Sequence, residues 1–596
     1  MLQPMLAPLP GAPELLYFAA GSAGVVAGPG GGLIMAAGGR LQGASYFNAF
    51  FLDYWRAHTG VARLGLACRA SKAVLLRVLG QLGDGSQRCL AEWQHPGGGA
   101  HHIEWLWLRA EDQGSGAPLL RLHLEIEAPA GAEIDQIGWV CDSAPVNPVR
   151  LSVGLCTFER ESHLLRTVTA LNGLLAAGEV ARVRVVNQGR RFRLPELAAL
   201  AETPGFEVIE QANLGGTGGF ARAMVATLAA AEAPTHLLIL DDDIVLDPRI
   251  VTRARLFAAY ATRPCAIGGQ AIELEAPTRL HELGGLLGPN WMVRTMGHGA
   301  DLADSTTLAL WNSAGAVDYN AWWFLLVPLD AIRRCGLPAP VFLHGDDVEY
   351  GLRLREAGVE TVPLPGLGVW HSSFRYKHAG LVHYYDLRNM LINASAHPHV
   401  SNLPGPVFVL GWMIHYLLVH RYRAALASMT AIRDFLAGPD VALGPDSLTR
   451  HQRLRVTIDR VAAPAVREGV VAADLTQAPT GTADPSQWRQ AALYLRLVMR
   501  ILFGTDPQDI TLLVSEQPLP ENTRGAPYLL ATGPQAERCL VLRRRRWRFV
   551  TMGLQALALA LRYAIGHRRA ARRWAVAMDD LRSRARWERE FSRARD

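Results

Sequence analysis

Cysteine is scarce and scattered. The seven residues, Cys68, Cys89, Cys141, Cys156, Cys265, Cys335 and Cys539, are odd in number and lack metal-type spacing. A disulfide frame or zinc site is therefore not expected, and reduced core thiols of a cytosolic protein are. Long apolar runs are also missing. The longest, residues 406–419, is interrupted by His415 and followed by His420, Arg421 and Arg423, short of the roughly 20 residues that span a bilayer. No basic stretch precedes an apolar one at the N-terminus, so no secretory signal is expected. Acidic residues are sparse in the C-terminal stretch: residues 542–596 hold sixteen Arg and five Asp or Glu, a net of +11, in a chain of net +6. The remainder is thus about −5 by difference. Such a stretch calls for an anionic partner or surface, or is a solvated helical face.

What is present is ordinary in bulk. The chain has 596 residues and 49% hydrophobic content, too long for one core and sufficient for about three domains. Residues 1–145 are β-rich. Short apolar runs at 73–79, 103–108 and 119–126 are separated by turns such as Pro96-Gly97-Gly98-Gly99, a pattern suited to an antiparallel β-sandwich. The aromatic-dense stretch 46–55 fits core or interface packing better than a sugar platform. The composition shifts at Ser143-Ala144-Pro145-Val146-Asn147-Pro148. From there residues 146–400 alternate strands (149–156, 180–186, 206–210) with helices such as 164–175, which implies a parallel α/β sheet. Residues 401–596 read as helical and basic.

The stretch around which the chain is organised is 236–248, an apolar run ending in Asp241-Asp242-Asp243. It reads as a buried strand that stops where the acids begin. Ligands of open α/β sheets gather at such strand ends. Three adjacent acids need a cation, and a hard divalent ion bridging carboxylates to a diphosphate supplies one. A helix cap at Asp247-Pro248 would account for one acid, not three. Before this strand stands Asn213-Leu214-Gly215-Gly216-Thr217-Gly218-Gly219. Its glycines would let backbone approach a ligand and its helix offer N–H donors to anions. It is neither a dinucleotide fingerprint nor a P-loop, since the spacing and the Lys-Ser/Thr are absent. Trp322 and Trp323 are adjacent, and on an extended segment one would pack while the other faced a cleft. Asp346-Asp347 opens a helix. One acid serves as a cap and the second resembles a general base. His371, after Trp370, could join carboxylates around Mn²⁺ or a similar ion.

The ordered set Thr157-x-x-Arg160, Asn213-Leu214-Gly215-Gly216-x-Gly218-Gly219-Phe220, Asp241-Asp242-Asp243, Gly268-Gly269-Gln270, Val317-Asp318-Tyr319-Asn320-x-Trp322-Trp323, Asp346-Asp347-x-x-Tyr350-Gly351-Leu352-Arg353, Trp370-His371 and Leu387-Arg388-Asn389 closely resembles the galactofuranosyltransferases that polymerise mycobacterial cell-wall galactan. The resemblance implies an inverting GT-A (Rossmann-like) catalytic domain between an N-terminal antiparallel β-sandwich and a C-terminal helical region. It implies a divalent metal, Mn²⁺ or Mg²⁺, on Asp241, Asp243 and His371. Arg160, Asn187, Asn213, Gly215 and Asp242 fall to the donor. Trp322, Trp323 and His344 fall to the acceptor. Asp347 is the base, with Asp346 as its neighbour.

This chain departs from the family at Asn187-Gln188, where an Asp-Gln pair is usual, at Gly285 after His281-Glu282-Leu283-Gly284, and at His344 in place of Lys. The implied function is transfer of galactofuranose from UDP-galactofuranose to a lipid-linked or cell-surface glycan. The expected location is cytoplasmic and peripheral, on the anionic inner face of the plasma membrane. A homo-oligomer is compatible, and no nucleic-acid module is recognisable. The alternatives are the same machinery with a rhamnosyl or hexopyranosyl donor, or a non-catalytic glycan-binding GT-A protein.

Overall fold

The computed structural model describes residues 1–107, 117–372, 380–443, 447–461, 463–468, 476–477, 487–504, 511–515, 519–523, 525–532 and 538–593. The N-terminal strands pair into one ten-stranded antiparallel sheet. Burial alternates along Val74–Leu82, as for a sheet packed on one face. Where two sheets of a sandwich were expected, hydrogen bonding is continuous. The strand Leu33–Gln42 pairs with Ala132–Cys141 through its first residues and with Leu119–Ala128 through its last. The aromatic stretch 46–55 is core and interface: Trp55 lies 5.1 Å from Phe257, and the Tyr46 hydroxyl donates to Gln270 Oε1 at 2.6 Å. That bond gives Gln270 of the Gly268-Gly269-Gln270 motif a structural task.

The second sheet follows from the run of Val, Ile and Leu that must be covered on both faces. Its strands are β1 (Leu151–Thr157), β2 (Arg182–Asn187), β3 (Phe206–Glu210), β4 (His236–Asp241), β5 (Ile244–Val245), β6 (Cys265–Glu273), β7 (Leu280–Glu282), β8 (Phe324–Pro328) and β9 (Glu360–His371). Their order is 3-2-1-4-8-6-9-5, with β7 on β6. Strands 3-2-1-4 are parallel, and β8 runs antiparallel to both neighbours. Helices α1 (Glu161–Ala176) and α2 (Gly215–Leu228) make the crossovers, and α3 (Asp346–Glu356) precedes β9. Register then sets the site. Cys156 pairs with Asp241, Thr157 with Asn187, and Ile244 with His371. The short β5 therefore brings the end of β9 beside the three acids.

The C-terminal region holds α4 (Val382–Ala396), α5 (Pro406–Leu418), α6 (Tyr422–Ala437), α7 (Arg546–Leu581) and α8 (Arg584–Arg593). It also contains a five-stranded sheet, Ala465–Glu468, Thr476–Gln477, Thr511–Ser515, Tyr528–Thr532 and Arg538–Arg543, which the helical expectation omitted. Runs of two to six residues are too short for a period of 2 to stand out from 3.6. The expectation of no spanning-length apolar segment also needs amending. Within α7 an 18-residue window reaches a mean hydropathy of 1.4, with a third of it buried in the protein. Gln555 and Arg562 inside the helix hide this from a count of uninterrupted runs.

The basic C-terminal helices are not an appendage. Trp574 Nε1 in α7 donates to the Phe435 carbonyl at 2.9 Å. Trp587 in α8 is 1% exposed, lies against Gly218 of α2, and donates to the Pro338 carbonyl at 2.8 Å. Phe591 sits under the Arg222 guanidinium at 4.9 Å. Trp587→Ala is expected to cost about 3–5 kcal/mol, the range for emptying a large aromatic site. Urea unfolding measures it, and a loss below about 1 kcal/mol would mean the indole pocket does not hold the domain.

Candidate active site

The C-terminal ends of β1, β2 and β4, the start of α2 and the start of α3 open on one cleft of about 890 Å³, walled on the far side by residues of α4 and α5. Arg160, Asn213, Gly215, Asp241, Asp242, Trp322, Trp323, His344, Asp346 and Asp347 all line it.

At one end the donor atoms of Asp241, Asp243 and His371 lie within 4.8 Å of one another. His371 Nε2 is 3.7 Å from Asp241 Oδ2 and 3.1 Å from Asp243 Oδ1. Burial works to lower the His371 pKa, but the two carboxylates hold it up at about 9. Asp243 is also paired with Arg160, whose guanidinium lies 3.8 Å from Asp242. Asp242 turns the other way, accepting from the Thr157 hydroxyl at 2.5 Å. Its carboxyl is pushed up by burial and by the Asp241 charge. Two carboxylates and one imidazole converging at the cleft, with Asp243 and His371 buried and Asp241 half-exposed, suit a divalent ion.

At the other end stands the acid pair. The loop before it is strained: Phe342, His344 and Gly345 have φ of 77°, 60° and 75°, a region that non-glycine residues avoid. Helix α4 pins the loop. Asn389 Nδ2 donates to the carbonyls of Leu343 at 2.7 Å and His344 at 2.6 Å, and Asn393 Nδ2 to that of Gly345 at 2.7 Å. This assigns the Leu387-Arg388-Asn389 motif a task the sequence did not disclose. Asp346 is 8% exposed and accepts from the Thr217 hydroxyl at 2.6 Å. Asp347 stays partly open to the cleft. Burial raises the pKa of both, and at Asp347 the Asp346 charge adds to it. His344 Nδ1 is 3.0 Å from Asp386 Oδ1. Burial opposes the imidazolium, yet Asp386 raises the His344 pKa and is itself held near 2 by His344 and His383, against its own burial.

Three expectations change. Asn187 does not line the cleft: its amide donates to the Arg190 carbonyl at 2.8 Å and to Glu210 at 2.9 Å. Its neighbour Gln188 reaches the cleft instead and ties β2 to α2 through the Gly215 carbonyl at 2.8 Å. The tryptophans lie in a turn, not an extended segment, so the alternation does not apply. Both are 6% exposed and both line the cleft. Trp322 packs on Phe220 and Tyr350, and Trp323 Nε1 donates to the Gly269 carbonyl at 3.1 Å. The glycines of α2 serve packing first. A Cβ at Gly219 would meet Cys156 Sγ at 2.0 Å, and one at Gly215 (φ +75°) the Phe342 carbonyl oxygen at 2.0 Å. Those contacts bring α2 against β1 and the acid-pair loop. Thr217 and Asn389 were quoted within motifs, but their tasks are what sequence reasoning missed. A threonine inside a glycine run and an asparagine after a buried arginine carry no local signal.

The acids at the carboxyl end of β4 and the acid pair across the same cleft stand as the sequence resemblance implies. In keeping with this, residues 148–383 match the family described as glycosyltransferase like family 2, so this stretch is a glycosyltransferase family 2-like domain. The chain is similar to galactofuranosyltransferase GlfT2 of Mycolicibacterium smegmatis, at 26% identity over 434 residues, covering 67% of this chain and 64% of the relative. It is similar to GlfT2 of Mycobacterium tuberculosis at 28% over 452 residues, covering 71% and 70%. The chain thus spans under two thirds of the first relative's length. Among solved structures, a mannosyltransferase from Pyrobaculum calidifontis in complex with GDP-Man and Mn²⁺ aligns at 12% identity and a TM-score of 0.32, over 53% of this chain and 88% of that one.

Proposed function

We propose that the protein is a metal-dependent inverting glycosyltransferase that moves galactofuranose from UDP-galactofuranose to a lipid-linked or cell-surface glycan. The observation that carries this is the placing of Asp241 and Asp347 on one cleft, a cation site facing a raised-pKa carboxyl. Asp241, Asp243 and His371 would hold Mn²⁺ or Mg²⁺, which offsets charge gathering on the departing diphosphate. Arg160, Asn213 and Gly215 lie on the donor side, and Arg160 supplies the cation nearest the acids. Asp347 takes the proton of the acceptor hydroxyl as its oxygen bonds the anomeric carbon. The bond to the diphosphate breaks on the opposite face, so configuration inverts. His344, Trp322 and Trp323 bound the acceptor side.

The donor assignment is supported by the two relatives and by the ordered motifs. A panel of nucleotide sugars, read by release of the nucleoside diphosphate with Mn²⁺ present, tests it. UDP-galactofuranose should be consumed fastest. Preference for a rhamnosyl or hexopyranosyl donor would move the enzyme to another sugar, and no turnover with any donor would leave a glycan-binding protein.

The same proposal places the protein on the inner face of the plasma membrane. Helix α7 exposes Trp547, Leu554, Leu561 and Ile565, at 80, 64, 60 and 89%. Arg562, Arg568 and Arg569 are exposed nearby. An apolar stripe among cations suits the headgroup layer of anionic lipid. Leu561→Asp with Ile565→Asp should lower co-sedimentation with phosphatidylglycerol vesicles without changing the melting temperature. Equal sedimentation of variant and parent would remove α7 from the membrane contact.

A further inference from the structure

We propose that Glu356, His397 and His399 form a second divalent-cation site, of a character that suits Zn²⁺, at the far end of the helix bearing the acid pair. The inference does not rest on the transferase reading. Helix α3 opens at Asp346 and closes on Glu356. Helix α4 ends at Ala396, and the chain then turns through His397-Pro398-His399.

The three donor atoms lie within 4.8 Å of one another. Glu356 Oε1 is 2.5 Å from His397 Nδ1 and 3.0 Å from His399 Nε2. Bonds of about 2.0–2.1 Å in a tetrahedral site set donor atoms roughly 3.3 Å apart. The Glu356–His399 pair is close to that spacing already. The Glu356–His397 pair has to open by less than about 1 Å on the same geometry. The Glu356 side chain, 37% exposed, has room to move.

A second observation points the same way. His397 is 1% exposed, and its other nitrogen, Nε2, faces Glu349 Oε1 at 3.5 Å. A ligating histidine is commonly held by a carboxylate behind it, which fixes the ring and its tautomer. Glu349 Oε1 is also paired with Arg353 at 2.7 Å and Arg582 at 2.5 Å, which offset its charge. Arg582 also lies 3.4 Å from His397 Nε2, opposite the nitrogen that would bind metal. Two imidazoles and one carboxylate favour a borderline ion, whereas the two carboxylates at Asp241 and Asp243 favour a harder one. Bound metal would tie the end of α3 to the end of α4, the helix that pins the strained loop.

The test uses the full chain carrying Asp243→Ala, which disables the first site, stripped of metal and titrated with Zn²⁺ by calorimetry. One equivalent should bind and raise the melting temperature. Co²⁺ in its place should give the visible absorption of a tetrahedral site. Adding His399→Ala, at a residue 61% exposed and so harmless to the fold, should weaken binding by at least about tenfold and abolish the Co²⁺ bands. Glu356→Gln should do the same. Absence of Zn²⁺ binding in the Asp243→Ala chain, or binding and Co²⁺ bands indifferent to both substitutions, would overturn the proposal.

Discussion

Asp347→Asn is expected to lower sugar transfer by about 10²–10⁴-fold, the usual share of general-base catalysis, with donor affinity close to that of the parent. The amide keeps size and polarity but cannot take the proton. Asp346 cannot readily substitute, since it is buried and holds the Thr217 hydroxyl at 2.6 Å. Glu349 is also spent: Arg353 and Arg582 pair with it and, against its burial, hold its carboxyl far below the ordinary range. Two measurements decide the matter, turnover with acceptor present and donor affinity by calorimetry. Near-normal turnover would leave Asp346 as the base, and loss of donor binding would place Asp347 with the metal.

The pH dependence has a definite sign. Asp347 must be ionised to act, and burial together with the Asp346 charge raises its pKa. The rate should therefore fall as pH drops through a value above that of an ordinary carboxylate. The folded state also holds that proton more tightly than the unfolded chain does. The stability it contributes is present at low pH and lost as pH rises through the raised pKa. Asp347→Asn should thus be at least as stable as the parent at pH 8, which separates a catalytic defect from a folding one.

Removal of divalent ions is the other large effect. EDTA should abolish transfer, and Mn²⁺ or Mg²⁺ should restore it. Asp243→Ala should lose activity and still fold, because deleting one of three clustered acids relieves repulsion while Arg160 keeps Asp242 within 3.8 Å. Full transfer after exhaustive chelation would end the metal assignment. A proton sits where the ion would. With the His371 pKa at about 9, binding must displace that proton, so metal affinity should weaken as pH falls. Calorimetry in buffers of different ionisation enthalpy would detect the release.

How much was legible differs by element. Strand β3 coincides with the expected 206–210, because Phe, Val and Ile between turn residues leave little choice. Asp241 and Asp243 were expected to share an ion, and they meet because Asp241 ends β4 and Asp243 lies in the turn that follows. Bringing His371 to them took β5, two residues whose pairing with β9 no local pattern announces. The glycine run was visible and its use was not, since ligand approach and helix packing ask for the same missing Cβ. Asn187 and Gln188 are neighbours of similar chemistry, and only the fold decides which of them reaches the cleft. The C-terminal helices were read from charge, which reports on their exposed faces and is silent about Trp587.

The seating of Trp587 beside Gly218 has a consequence for biosynthesis. A contact between residues 369 positions apart cannot form until Trp587 has left the ribosome. Up to then the glycine helix and the acid-pair loop lack one wall, and the apolar surface reserved for Trp587 and Phe591 stays open to other partners. Domains that fold as they emerge normally shield such surface early. Helix α8 closes that wall, so the nascent chain should depend on chaperone cover until residues 584–593 are released.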